Sequence, residues 1–336
     1  MKGVVDEEAL ERHAEMFAAR LRKRFRHLAP RFGRRNVEAF RVYDWDIPEV
    51  RATVDWYAGH LVIAEYVREQ TSAVPWLERM ADAAAEALLS DLPAEQRADR
   101  LHLKRRTTGK RGHRYGRLSR RGCQLEVREA DQRFWVDLES FVDTGLFPDH
   151  RETRALVGRD IAELGARLGR APRFLNLYAY TGSFSVYAAR AGAQTTTVDL
   201  SKRYLAWAER NFELNALEPR AHRFLEEDIA RFLSGVRERR ARWDYVIVDP
   251  PSFSSVGNLN AAALDIQRDH PELLRGVAEV LEPGGTILFS TNHQRFEPRL
   301  DGFSRRFEIR EISQQVQAED FARRAAHRCF LLRSRA

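Results

Sequence analysis

Phe174-Leu-Asn-Leu-Tyr-Ala-Tyr-Thr-Gly182 is an apolar run that breaks into polar residues and closes on a glycine, with helical spacing resuming behind it. Two later stretches follow the same plan. Thr195-Thr-Thr-Val-Asp199 ends on an acid, and Val248-Asp-Pro-Pro-Ser-Phe253 leaves a buried strand through two prolines. Short apolar runs alternating with amphipathic helices specify a parallel sheet with helices on both faces. Strands are expected at 174–178, 195–199, 221–225, 243–248 and 286–290, with helices at 183–191, 202–217, 229–240 and 263–281. Two further strands, 308–312 and 329–332, bring the expected count to seven, with an antiparallel pair at the end. The fold class is therefore α/β, a doubly wound seven-stranded sheet. In such sheets ligands bind outside the carboxyl ends of the strands.

The residues before this sheet have a different pattern. Leu10, Ala14, Phe17, Leu21, Phe25 and Leu28 share one helical face, while Arg20, Arg22, Lys23, Arg24 and Arg26 occupy the other. Strands follow at 39–43, 53–57 and 61–67, the last two joined by a hairpin turn at Ala58-Gly59. A helix at 74–91 and strands at 100–106, 124–128 and 134–138 complete a smaller α+β domain. The expected division is 1–138 for the N-terminal helix plus this domain and 139–336 for the doubly wound one.

The run from Lys104 to Arg121 contains no acidic residue and three glycines. A solvated loop is the plain explanation of most charge runs. Yet an uncompensated run of this length repels itself, which favours contact with nucleic-acid phosphates. Lys104, Arg105, Lys110, Arg111, Arg114 and Arg117 are the residues expected to make it. The formal net charge of +7 fits a polyanionic partner, although arginine-rich codon usage would give the same balance.

The 336 residues are 43% hydrophobic and 10% aromatic, enough for two packed cores. No apolar run approaches the length of a membrane span, and the first residues lack the apolar core of a signal peptide. Cys123 and Cys329 stand in unrelated contexts, so neither a metal site nor a disulfide framework is expected. The cytoplasm is the expected location.

A dinucleotide site needs several glycines to cradle a pyrophosphate. Here Asn176, Tyr178, Ala179, Tyr180 and Thr181 fill the loop before Gly182. That suits a ligand without phosphates, approached by the backbone at Gly182 and carrying a polar tail. Asp199 is placed to accept both hydroxyls of a ribose, because Ser201 serves better as the cap of the next helix. Asp228 either receives an adenine amine or caps the helix behind it. At Asp249-Pro250-Pro251, the prolines remove two donors and leave carbonyls exposed as acceptors. With Phe253 that tip offers an acceptor edge and an aromatic face to a planar base drawn out of its stack. His270 is a candidate general base, but a packed or capping role is expected.

At these residues the chain resembles the RlmK-type 23S rRNA guanine-N7 methyltransferases, which commonly form the C-terminal half of the fused RlmKL enzyme. The matching segments are Asp143-Thr-Gly-Leu-Phe-Pro-Asp-His-Arg151, Asn176 to Gly182, Thr195 to Asp199, Tyr204-Leu-Ala-Trp-Ala-Glu-Arg-Asn211, Asp249 to Phe253, Asp265-Ile-Gln-Arg-Asp-His270 and Asp320-Phe-Ala-Arg323. The Asp-Pro-Pro-Phe pattern is shared widely among base methyltransferases, whereas segments 143–151 and 265–270 are more specific.

The resemblance implies a Rossmann-like class I S-adenosylmethionine (SAM) methyltransferase domain behind an RNA-binding domain. It implies cofactor contacts from His150, Arg151, Asn176, Tyr178, Tyr180, Gly182, Asp199, Ser201 and Asp228, and a substrate face at Asp249, Pro250, Pro251 and Phe253. The implied partner is 23S rRNA or a large-subunit assembly intermediate. The fused enzyme's other half has no counterpart here, so a separate guanine-N2 methyltransferase subunit is a further expected partner.

Three rivals differ in chemistry. Cytosine-C5 methylation in RlmI-type relatives needs a cysteine nucleophile after the fifth strand, where this chain reads Phe289-Ser-Thr-Asn-His293. Guanine-N2 methylation is the second rival, and a non-catalytic RNA-binding assembly module the third. Guanine N7 has a lone pair and no proton, so it needs neither a thiol nor a base.

Overall fold

The computed structural model describes residues 5–72, 74–106, 122–252, 264–321 and 325–335. It divides into two compact units, Met1–Pro148 and Asp149–Ala336.

The first unit opens on α1 (Glu7–Arg34). Asp6 caps it by accepting the Ala9 N–H at 2.8 Å, and acids in the first turn and arginines in the last complement the helix dipole. Leu10, Ala14, Phe17, Leu21 and Leu28 are buried, and Phe25 packs on Phe40 and Trp56. The helix lies beside a four-stranded sheet of β1 (Ala39–Asp44), β2 (Ala52–Tyr57), β3 (His60–Tyr66) and β4 (Leu101–Arg106), in that order. Ala58 at φ 46° and Gly59 at φ 92° turn β2 into β3, the left-handed pair that a type I′ hairpin demands.

Between β3 and β4 run α2 (Trp76–Leu88) and the short α3 (Ala94–Ala98), and β4 then joins β3 in parallel. A separate ribbon pairs β5 (Gln124–Glu129) with β6 (Gln132–Asp137). The basic run therefore links two sheets rather than closing a hairpin. Residues 107–121, with Lys110, Arg111, Arg114 and Arg117, lie outside the described residues.

Residues 139–148 belong to this first unit, so the division falls ten residues later than the sequence reading placed it. Lys104 Nζ donates to the carbonyls of Phe141 and Val142 at 2.8 and 3.0 Å, and the Tyr57 hydroxyl meets Thr144 Oγ1 at 2.8 Å.

The second unit begins with α4 (Arg151–Leu168) and then alternates: β7 (Arg173–Leu177), α5 (Ser183–Arg190), β8 (Gln194–Asp199), α6 (Lys202–Leu214), β9 (Arg223–Glu226), α7 (Ile229–Glu238), β10 (Trp243–Val248), α8 (Ile266–Glu279) and β11 (Leu281–Thr291). β12 (Phe307–Glu311) and β13 (Arg328–Ser334) follow. The seven strands lie in the order β12-β13-β11-β10-β7-β8-β9. β13 runs antiparallel to β11 and β12, and the other pairs are parallel. Every residue of β10 is buried, as a central strand covered on both faces requires. α7 and α8 pack into the core on one face, and α4 and α5 into the core on the other.

The order reverses at β7, whose neighbours are β8 on one side and β10 on the other. A crevice for a ligand is expected at such a switch point. The loops after β7, β8 and β10 carry the three stretches that opened the sequence reading.

Candidate active site

The chain leaves β7 through an unusual backbone. Tyr178 and Tyr180 both adopt left-handed conformations, φ 57° and 52°, before Gly182 at φ 71°. Side chains disfavour that region, at a cost of order 1–3 kcal/mol each, so surrounding bonds must impose it. Asp199 supplies one, its Oδ2 accepting the Tyr180 N–H at 2.8 Å. The Ala179 N–H reaches the Val198 carbonyl at 3.0 Å, and buried Asn211 donates its amide to the Thr181 carbonyl at 2.9 Å.

Gly182 corrects the sequence reading in part. A Cβ there would lie 2.7 Å from the Ala208 Cβ on α6, so what the glycine admits is a neighbouring helix. Asn176 is also corrected. It is 1% exposed and donates its amide to Ser185 Oγ at 3.0 Å, so its side chain braces α5 from within.

Asp199 ends β8. Its Oδ1 accepts the Ser201 N–H at 2.8 Å while Oδ2 holds Tyr180. Burial raises its carboxyl pKa, opposed by these backbone donors. A carboxylate offers about four acceptor sites, so two N–H bonds leave capacity for ligand hydroxyls. Ser201 caps α6 through the Tyr204 N–H, as read from sequence. Asp228 caps α7, with Oδ1 accepting the Arg231 N–H at 3.1 Å. Burial first, and then the Asp228 charge, push the Tyr178 phenol pKa up, which sets that acid near the loop after β7.

Asp249 follows β10. Its Oδ1 accepts the Ser290 hydroxyl at 2.5 Å, and its Oδ2 lies 3.4 Å from His150 Nε2. The Ser252 hydroxyl bonds Asn292 Oδ1, tying the tip to the end of β11. Pro250 is buried and Pro251 half-buried, while Phe253 lies outside the described residues.

His150 is buried, with its ring flat on His327 at 3.9 Å and the edge of Phe184 against it. Burial, aided by His327, lowers its pKa to about 4, so it is neutral at pH 7. His327 in turn meets Asp149 Oδ2 at 3.2 Å through Nδ1 and Thr153 Oγ1 at 3.3 Å through Nε2.

Arg151 is a further correction. It is 2% exposed, and both terminal nitrogens lie 3.1 Å from the carboxylate of buried Asp320. A guanidinium held bidentately in the core fixes the start of α4, a structural role the sequence reading did not give it. His270 has the packed role expected of it. Nδ1 bonds the Ile266 carbonyl at 2.9 Å and Nε2 accepts the Arg299 N–H at 2.9 Å, so neither nitrogen is available as a base.

Lys104 is corrected too. It is 5% exposed, with its ammonium on two carbonyls, and burial lowers its pKa to about 8. It is not placed to meet a phosphate. Arg105 is exposed and pairs with Glu78 at 2.6 Å. The sequence reading assigned no role to Ser290, Asp320, His327 or Asn211. Asp320, Asn211 and Ser290 lay inside quoted segments without a role, and His327 carried no signal, because only the tertiary fold brings Ser290 to Asp249 and His327 to Asp149 and Thr153.

Acids end β8 and open α7, and an acceptor-rich tip ends β10, at the switch point of a doubly wound sheet. This acceptor set suits the hydroxyls and amine of an adenosine, and it offers no phosphate cradle. Such a fold and site define a SAM-binding transferase. The chain belongs to the S-adenosylmethionine-dependent methyltransferase family, whose model matches residues 40–315. SAM is its cofactor.

Among solved structures, a methyltransferase complexed with SAH superposes with a TM-score of 0.72 at 23% identity, over 95% of this chain and 81% of that one. A SAM-dependent methyltransferase from Streptococcus mutans gives 0.70 at 20% identity over the same shares. The tRNA m1G37 methyltransferase of M. jannaschii gives 0.50 at 14% identity, over 93% of this chain and 77% of that one. These likenesses concern the fold. Among the described residues no helix is long and apolar enough to cross a membrane.

Proposed function

We propose that this chain methylates N7 of a guanine in 23S rRNA, as an RlmK-type enzyme of the cytoplasm. One observation carries the choice of atom: among the described residues, the tip after β10 has neither a thiol nor a free base. Asp249 has one oxygen on Ser290 and the other facing His150. The end of β11 reads Ser290-Thr-Asn-His293, and Cys329 is fully buried in β13, where burial pushes its thiol pKa well up. An acceptor atom that is already nucleophilic suits such a site, and guanine N7 is one.

SAM supplies an electrophilic methyl on its sulfonium when bound. Asp199 accepts the ribose hydroxyls, and Asp228 the adenine amine through the oxygen not used as a cap. Tyr178 and Tyr180 shape the wall. Asp249, Pro250, Pro251 and Phe253 hold the extruded guanine, with Ser290 and His150 keeping Asp249 in one orientation. Positioning and water exclusion supply the catalysis.

Purified protein, SAM and unmodified 23S rRNA should yield 7-methylguanosine, detected as a new site of aniline cleavage after reduction. Cys329→Ala and Cys123→Ser, each in a folded preparation, should retain turnover. A product identified as 5-methylcytidine or N2-methylguanosine would refute the choice of atom, as would loss of turnover in Cys329→Ala.

The first unit and its basic run are assigned to the RNA. Replacing Lys110, Arg111, Arg114 and Arg117 together by alanine should weaken rRNA binding and leave SAM affinity unchanged. Four phosphate contacts account for a slope of roughly 3 in log affinity against log salt. The slope should become shallower by about that amount, and an unaltered slope would show the run to be a bystander.

A further inference from the structure

We propose that the first unit carries a site for a zinc-class metal ion, formed by His60, His102 and Cys123. In sequence these residues show no metal spacing, but the fold brings them together. His60 starts β3, His102 lies on the adjacent parallel strand β4, and Cys123 stands immediately before β5. His60 Nδ1 and His102 Nε2 face each other at 3.0 Å, with the rings 21° apart. One ligand atom from each of the two imidazoles and the thiol all lie within 4.8 Å of one another.

Glu139 supplies the supporting contact. Its Oε1 lies 3.0 Å from His102 Nδ1, on a ring whose side chain is only 2% exposed. That contact fixes the Nδ1–H tautomer and turns the Nε2 lone pair toward His60, the carboxylate–histidine arrangement that accompanies bound metals. Without metal the lone pair accepts the His60 Nδ1–H.

Two nitrogens on a tetrahedral zinc, each about 2.0–2.1 Å from it, stand about 3.3–3.4 Å apart. The pair needs to open by only a few tenths of an ångström. His60 and Cys123 are partly exposed, which gives an ion a way in and leaves the fourth position to water.

Two imidazoles and a thiolate select zinc over magnesium or calcium. On binding, the Cys123 thiol loses its proton to solvent as the metal–sulfur bond forms, and His60 moves its proton from Nδ1 to Nε2. The carboxylate of Glu139, 3.0 Å from His102 Nδ1, offsets part of the remaining positive charge. The ion would tie the start of β5 to the four-stranded sheet, just behind the basic run.

A second group, Asp149, His150 and His327, also brings its ligand atoms within 4.8 Å of one another, but it offers no thiol, and His327 already spends Nδ1 on Asp149 and Nε2 on Thr153.

The test uses the full chain, stripped with a chelator and titrated with zinc or cobalt. About one zinc per chain should remain after desalting. Cobalt should give tetrahedral visible bands together with a near-ultraviolet thiolate charge-transfer band. Cys123→Ser should abolish the thiolate band, and Glu139→Gln should keep it while weakening zinc affinity roughly 10–100-fold. No retained zinc and no thiolate band in the wild-type chain would overturn the proposal, whatever the variants do. A thiolate band that survives in Cys123→Ser would also overturn it.

Discussion

Asp199→Ala should lose SAM affinity by roughly 10²–10⁴-fold while the chain still folds. Two charge-assisted hydrogen bonds to ribose, at about 1.5–3 kcal/mol each, set that range. The same carboxylate accepts the N–H groups of Tyr180 and Ser201 at 2.8 Å each, so its loss also releases the left-handed loop after β7. Asp199→Asn separates the two roles. It keeps one acceptor oxygen for the loop but presents an amide donor to the other N–H, and should fall between wild type and alanine. Burial raises the Asp199 pKa, so affinity should be full above its titration and fall as pH drops through it. Calorimetry with SAM across pH measures both effects. Unchanged affinity in a folded alanine variant would remove Asp199 from the cofactor site.

The strand ends that form this site were legible because each joins a buried run to a residue type with one structural use. Ala58-Gly59 announced its hairpin, and Asp199 next to Ser201 announced a strand end followed by a cap. What stayed hidden depended on sheet pairing or on inverted polarity. Ser290 comes beside Asp249 because Val248 pairs with Phe289 in the β10–β11 register. Hydrophobic alternation misreads β4, where Leu103 is 42% exposed and Lys104 5%. His102 and Lys104 face inward because Glu139 and the carbonyls of Phe141 and Val142 await them there. Those acceptors lie nearly forty residues downstream, beyond the reach of any local pattern. Gly182 was read as space for a ligand because its neighbour Ala208 belongs to a helix whose approach no local pattern reveals.

Asp320→Ala should destabilise the second unit by about 3–5 kcal/mol, more than a typical single substitution. Arg151 and Asp320 are 169 residues apart in sequence, and their side chains are 2% and 0% exposed. Removing the acid leaves a buried guanidinium without its carboxylate, at the start of α4, where the helix dipole already disfavours a cation. Replacing both partners by apolar residues, Arg151→Met with Asp320→Leu, removes both charges together. It should recover most of the loss, because the desolvation of a buried pair roughly cancels its attraction. A double-mutant cycle from urea denaturation midpoints measures the coupling. His150 immediately precedes Arg151 and faces Asp249, so the double variant should be stable yet impaired in turnover. Single variants within 1 kcal/mol of wild type would show that the pair does not hold this unit together. A double variant with full turnover would show that Arg151 does not position His150.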